Sequence, residues 1–216
     1  MKNKKIYTFL MLFLLFIFCI STKSHASNNE PSITSGSAIL LENSTSKVLF
    51  EKNMNEKLEP ASITKIMTAI LAIENCNLDD VVTVPYEAIS NIPSGYSVAP
   101  LQTDEQITVD QLLRVLMVHS ANDAANALAY HIDGSIPAFA ERMNAKLNAL
   151  GLKDSHFTNP SGQHDTNHYS TAHDIAILLQ YCMKNTTFKT YASLKSCQLS
   201  ATNKSEERCF QNTNPM

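Results

Sequence analysis

The sequence predicts an α/β chain of the α+β kind, with β-structure gathered at its start and helices filling its middle. Three observations carry this. The apolar segments "SAILLEN" and "KVLFEKN", separated by "STS", read as an antiparallel hairpin. From Ile63 the apolar spacing turns helical, with Ile66, Met67, Ile70 and Leu71 on the i, i+3, i+4, i+7, i+8 template. The stretch after Lys184 is weakly patterned, so the chain supplies less β-structure than a stable sheet needs.

Residues 1–26 precede that fold and read as a secretory signal peptide. Met1 to Lys5 is basic, "IYTFLMLFLLFIFCI" is apolar and of secretory length, and "SHA" offers a cleavage site after Ala26. The run is slightly short for a membrane span, which leaves a retained anchor as the alternative. Bulky Ile17 and Phe18 before Cys19 argue against a lipidated N-terminus. The expectation is an exported protein, at the cell surface or in the periplasm. The remaining 190 residues suffice for one domain with a real core. The leader holds four lysines and no acid, so its removal takes the net charge from −3 to −7. With no basic run of five or more either, nucleic acid is not an expected partner.

Residues 27–34 are polar and lead into the hairpin. After the first helix, "VVTV" reads as a short strand and Pro93-Ser94-Gly95-Tyr96 as loop. Thr108 and Gln111 make a capping box for a helix through Val118. A second helix runs from about Ala121 to Ile132. Ser135 caps a third, with Phe139, Met143 and Leu147 apolar and Gly151 as its stop. "DSHFTNPSGQHDTNHYS" is a long polar loop, and Thr171 opens a helix through Cys182. No repeat is present. Cys76, Cys182, Cys197 and Cys209 have no C-x-x-C spacing and read as buried or idle thiols.

The opening of the first helix, "EPASITKIMTAI", places Ser62 three residues before Lys65. Residues at i and i+3 are helix neighbours, so the lysine amine can approach the serine hydroxyl. Ser62 has two readings, helix cap or nucleophile with Lys65 as base. A structural cap prefers Glu or Gln at the third position, and a cation in the first turn opposes the helix dipole. Those same features favour a neutral, proton-accepting lysine. The S-x-x-K spacing is common by itself. Ser44-Thr45-Ser46-Lys47 repeats it in the hairpin turn, where ordinary turn chemistry explains it. Ser120-Ala121-Asn122 adds an S-x-N at a helix junction, with Ser120 as a helix cap the plain alternative. Ser27-Asn28-Asn29 shows that this pattern is cheap too. Order and setting give the pair its meaning, because S-x-x-K followed by an S-D-N-like triplet marks active-site serine enzymes acting on β-lactams and cell-wall peptides.

Several longer blocks agree: "PASITKIMTAI", "DVVTVPYEA", "LLRVLMVHSANDAANALA", "FAERMNAKLNALGLKDSHFTNPSG" and "HYSTAHDIAILL". In this order they resemble the serine-type D-alanyl-D-alanine carboxypeptidases, the low-molecular-mass penicillin-binding proteins, from about Ile33 to Lys184. The resemblance implies a β-lactamase/transpeptidase-like fold, an antiparallel sheet with a helical subdomain. It implies Ser62 as acyl-ester nucleophile, Lys65 as general base, Ser120 as proton relay and Asn122 as a substrate-binding residue. The implied substrate is a peptidoglycan stem peptide ending in D-Ala-D-Ala, with β-lactams as inhibitors and no metal or other cofactor.

The third family motif, Lys-Thr-Gly on a core strand, has no counterpart, since Gly162 is the last glycine. Lys189-Thr190-Tyr191 comes closest and reads as accidental, because Tyr cannot allow the backbone approach that Gly permits. "FQNTNPM" resembles the segment just before that strand. Residues 27–216 therefore read as an incomplete serine D,D-peptidase domain with its later core strands missing. The strand would supply one oxyanion-hole amide beside that of Ser62, so little or no activity is expected of this chain alone. No membrane anchor is expected after cleavage.

Three rival readings compete. A class A β-lactamase would need an E-x-x-L-N loop, and none follows Ser120. A metal peptidase could draw on His164, Asp165, His168, His173 and Asp174, but the resemblance makes that loop scaffold. A catalytically inactive homologue, or a cell-wall-binding remnant, is the non-enzymatic alternative.

Overall fold

The hairpin at the start of the fold forms. Strand β1 (Ala38–Leu41) pairs antiparallel with β2 (Val48–Lys52), with a register shift between Leu40 and Leu41. Its turn is organised by Glu42, whose carboxylate accepts from the Ser44 and Thr45 amides at 3.1 and 2.7 Å and from the Ser44 hydroxyl at 2.8 Å. The second S-x-x-K is thus turn chemistry, as its setting implied. This computed structural model describes residues 31–214, and the leader read at 1–26 lies outside them. The chain divides into units Met1–Thr34 and Ser35–Met216, and all elements named below belong to the second.

A 3-10 turn (Ala61–Thr64) leads into α1 (Lys65–Asn75). Met67, Ile70 and Leu71 are buried, whereas Ile63 falls in the turn and stays exposed. Helix α1 packs on α3 (Val109–His119) and α4 (Asn122–Asp133), whose Leu112, Leu116 and Leu128 complete the core. Burying each such side chain stabilises the fold by about 1.5–3 kcal/mol. The expected caps form. Thr108 and Gln111 close a capping box on α3, Ser135 caps α5 (Ile136–Ala149), and Thr171 caps α6 (Ala172–Cys182).

Strand β3 (Val81–Thr83) was expected, but its partner β4 (Gln106–Thr108) and the short helix α2 (Tyr86–Ser90) were not. Three-residue strands are too short to show alternation. The tail departs further from expectation. Helix α7 (Thr186–Ala192) is capped by Asn185, and strands β5 (Ser196–Leu199) and β6 (Arg208–Gln211) form a hairpin on α3. Lys189-Thr190-Tyr191 lies within α7, where buried Tyr191 donates to Asp110 at 2.7 Å. Cys197 faces the core and Cys209 faces solvent, so pairing of β5 with β6 does not join them, and all four described cysteines are free thiols.

The described strands form three two-stranded antiparallel sheets, and the β1–β2 hairpin adjoins α6. Leu40 and Leu49 are 56% and 55% exposed, so this hairpin contributes little buried area. Among the described residues no helix is long and apolar enough to cross a membrane.

Candidate active site

Ser62 lies in the 3-10 turn, and its hydroxyl caps nothing: neither this turn nor α1 has a side-chain cap. The hydroxyl instead accepts a hydrogen bond from Lys65 Nζ at 3.1 Å. That settles the geometric half of the question raised by the sequence. Ser62 is exposed, while Lys65, at the first position of α1, is only 3% exposed.

The surroundings of Lys65 use every proton of its ammonium group. Besides Ser62, Nζ donates to Asn122 Oδ1 at 3.1 Å and to the Ser161 carbonyl at 2.7 Å. The last two partners are carbonyl oxygens and can only accept. Ser62 alone can reverse its role, so a neutral lysine can keep both carbonyl bonds and turn its lone pair to the serine proton. Burial pushes the Lys65 pKa down to about 8, against the opposing pull of Asp123.

Asn122 opens α4 and is itself fixed. Its Nδ2 donates to the Ser97 carbonyl at 2.8 Å and its backbone N–H to the same oxygen at 2.9 Å. With Nδ2 so engaged, Oδ1 is the atom left for Lys65. Ser120 occupies a left-handed C-cap after α3 (φ 59°), with its N–H bonded to Val115 O. It does not cap α4, as the plain reading of S-x-N supposed; Ala121 holds that position without a side-chain bond. Its hydroxyl makes no hydrogen bond among the described residues, and the chain bend it produces brings Asn122 into place.

Sequence reasoning missed the parts played by loop 158–163 and by Asp123. Asn159 Oδ1 accepts from the amides of Ser161, Gly162 and Gln163 at 3.2, 2.8 and 3.0 Å, which shapes the loop. Thr68 Oγ1 ties the Pro160 carbonyl to α1 at 2.6 Å. Gly162 (φ 79°) then abuts Ala61, itself strained at φ 46° just before Ser62. A Cβ at 162 would lie 1.8 Å from the Ala61 oxygen, so only glycine fits. The "NPSG" string was legible as a family block, but its contact with Lys65 spans 96 residues and has no local signal. Asp123, in the first turn of α4, is buried and binds backbone amides of a distant loop.

The histidines of the polar loop disperse. His168 is buried and stacked on Phe157, with ring centroids 5.1 Å apart. Its Nδ1 accepts from the Thr158 amide at 3.1 Å, so Nε2 carries the proton and donates to Thr64 Oγ1 at 2.8 Å. Burial lowers its pKa to about 4. His164 pairs with Glu59, and His173 with Asp174. Among the described residues, no three His, Cys, Asp or Glu side chains converge as metal ligands. A cleft of about 220 Å³ borders Ser161, lined also by Asn126, Ile136, Asn159 and Gln163.

The chain is similar to D-alanyl-D-alanine carboxypeptidase DacF of Bacillus subtilis (strain 168), 41% identical over 153 residues, 68% of this chain and 39% of that protein. It is 36% identical over 174 residues to D-alanyl-D-alanine carboxypeptidase DacC of Escherichia coli (strain K12), covering 76% of this chain and 44% of that one. The chain thus spans less than half the length of these curated relatives. Among solved structures, it superposes on a mutant of Streptomyces K15 DD-transpeptidase with a TM-score of 0.80 and 31% identity, covering 86% of this chain and 76% of that one. On penicillin binding protein 6B from Escherichia coli the TM-score is 0.78 at 32% identity, covering 88% and 61%. The D-alanyl-D-alanine carboxypeptidase family model matches residues 24–216, and this chain belongs to that family.

Proposed function

We propose that this chain carries the serine–lysine machinery of a D,D-carboxypeptidase that removes the terminal D-alanine from peptidoglycan stem peptides. The observation that carries the reading is the Lys65 amine, buried and held by two carbonyls with Ser62 as its one reversible partner. Neutral Lys65 takes the Ser62 proton as Oγ bonds to the carbonyl carbon between the two D-alanines. The C–N bond then breaks, and the proton passes through Ser120 to the leaving D-alanine amine. Water hydrolyses the resulting acyl-enzyme, and Asn122 hydrogen-bonds the substrate backbone throughout. A β-lactam acylates the same oxygen. We place the signal peptide at 1–26, the part of a serine D,D-peptidase domain that this chain carries at 27–216, and its work outside the cytoplasm, in keeping with a wall-peptide substrate.

The exposure of Ser62 supports a second reading, an inactive homologue that binds cell wall. Water around an exposed nucleophile weakens the electrostatic stabilisation of an oxyanion. Mass spectrometry of the chain after exposure to benzylpenicillin separates the two. An adduct mapping to Ser62 supports acylation. A folded chain with no adduct, but with affinity for peptidoglycan, sinks the first reading in favour of the second.

A further inference from the structure

Loop 97–101 is held from two sides by charged side chains that the reaction itself does not use. From α4, the Asp123 carboxylate accepts from the Ala99 amide at 2.9 Å and from the Leu101 amide at 3.0 Å. From β6, Arg208 Nη1 donates to the Ala99 carbonyl at 2.9 Å and reaches the Pro100 carbonyl at 3.4 Å. Ala99 is therefore gripped by its N–H on one side and its C=O on the other. Arg208 is in turn paired with Glu105, which is fully buried and also accepts from the Gln102 amide and the Thr202 hydroxyl, both at 2.9 Å. These are charge-assisted bonds in a dry setting, the stronger kind.

Two residues before Ala99, the same loop presents the Ser97 carbonyl to both nitrogens of Asn122. That oxygen decides which way the Asn122 carboxamide faces, and so whether an acceptor meets Lys65. We propose that Asp123 and Arg208 are positioning residues that act on the serine–lysine site through loop 97–101, by fixing the Ser97 carbonyl that orients Asn122 toward Lys65. Neither touches Ser62 or Lys65. The inference rests on the proposed acylation only for its kinetic readout. Burial pushes the Asp123 pKa up, but the Ala99, Leu101 and Ala124 amides favour its ionised form, which in turn favours the protonated lysine.

The experiment compares the unmodified chain with Asp123→Asn, Arg208→Met and Arg208→Lys. Three readouts serve: the side-chain amide resonance of Asn122, the titration of Lys65 followed on its 13Cε, and the rate of benzylpenicillin acylation. Asp123→Asn is expected to move the Asn122 resonance and lower the Lys65 midpoint. Compared well above pH 8, where Lys65 is neutral in both proteins, acylation should be slower by about tenfold to a hundredfold, the size of effect that small misplacement produces. Arg208→Met should move the Asn122 resonance as well, and Arg208→Lys, which keeps a cation and a donor for Ala99, should restore it. An unchanged Asn122 resonance in both folded Asp123→Asn and folded Arg208→Met overturns the proposal. If Asp123→Asn fails to fold, Arg208→Met decides alone. Hydrogen exchange on the unmodified chain adds a check free of any variant, because rapid exchange of the Ala99 and Leu101 amides also overturns it. Absence of any penicillin adduct counts against the acylation reading, while the two spectroscopic readouts still decide the clamp.

Discussion

Gly162 and Ala61 meet backbone to backbone: a Cβ on Gly162 would come within 1.8 Å of the Ala61 carbonyl oxygen. Neither side can yield cheaply, because Ala61 precedes Ser62 at a strained φ of 46° and Gly162 follows the residue whose carbonyl holds Lys65. This contact locks the two halves of the site, so Gly162→Ala tests it directly. The substitution meets the clash and also an unfavourable φ of 79°, and stability should fall by about 2 kcal/mol or more. Urea unfolding measures it. An unchanged midpoint would mean that loop 158–163 is free to move away from the serine turn.

His168 gives the site an acid limit. Buried neutral, it has a folded pKa of about 4 against the ordinary 6.5, chiefly through loss of water, with Asp165 pulling the other way. The unfolded chain therefore binds a proton first on acidification. The stability that His168 supplies is complete above pH 6.5 and is lost as pH falls from there toward 4. Protonation would also set an N–H against the Thr158 amide that Nδ1 now accepts. Urea midpoints should drop between neutral and mildly acidic pH, and His168→Gln should drop less over the same interval. Equal losses in the two proteins would remove His168 from the account.

Ser62→Ala addresses the oldest ambiguity of the sequence, cap against nucleophile. Since the hydroxyl bonds only to Lys65 and sits in solvent, its removal should change stability by no more than about 0.5 kcal/mol, as for other surface substitutions. Penicillin labelling should vanish altogether. A loss nearer 1 kcal/mol, the usual effect of deleting a helix cap, would restore the capping role.

The legible parts of this molecule are those in which one stretch of chain carries its own instructions. The Thr108–Gln111 box, the Ser135 and Thr171 caps and the apolar face of α1 are local patterns, and the structure follows each. Ser62, Lys65 and Asn122 were named together from motif order, and two hydrogen bonds join them. What stayed hidden depends on partners far along the chain. Strand β4 is defined by pairing with β3, and β6 by its seat on α3 and by Arg208 reaching Glu105. The part played by Asp123 arises from a loop 22 to 24 residues earlier, which no periodicity encodes. The plain alternative for Ser120, an N-cap of α4, does not form, because left-handed backbone, which leaves no mark in sequence at a serine, makes it the C-cap of α3 instead.

The base assigned to Lys65 predicts a pH profile with a definite sign. Only the neutral amine can accept the Ser62 proton, and burial, the larger influence, holds its pKa near 8 rather than at the ordinary 10.5. The acylation rate should therefore climb about tenfold per pH unit on the acid side and level off once the base is fully neutral. The turning point should lie near pH 8. Stability moves in the same direction for a related reason. The folded chain releases this proton before the unfolded chain does, so the penalty of a buried ammonium fades between pH 8 and 10.5. Lys65→Arg should abolish acylation over this range, because guanidinium stays protonated and cannot serve as a base. Second-order rates of benzylpenicillin acylation from mildly acidic to alkaline pH provide the check. A flat profile, or a limb that survives in Lys65→Arg, would show that another group activates Ser62, and the serine–lysine reading would fall with it.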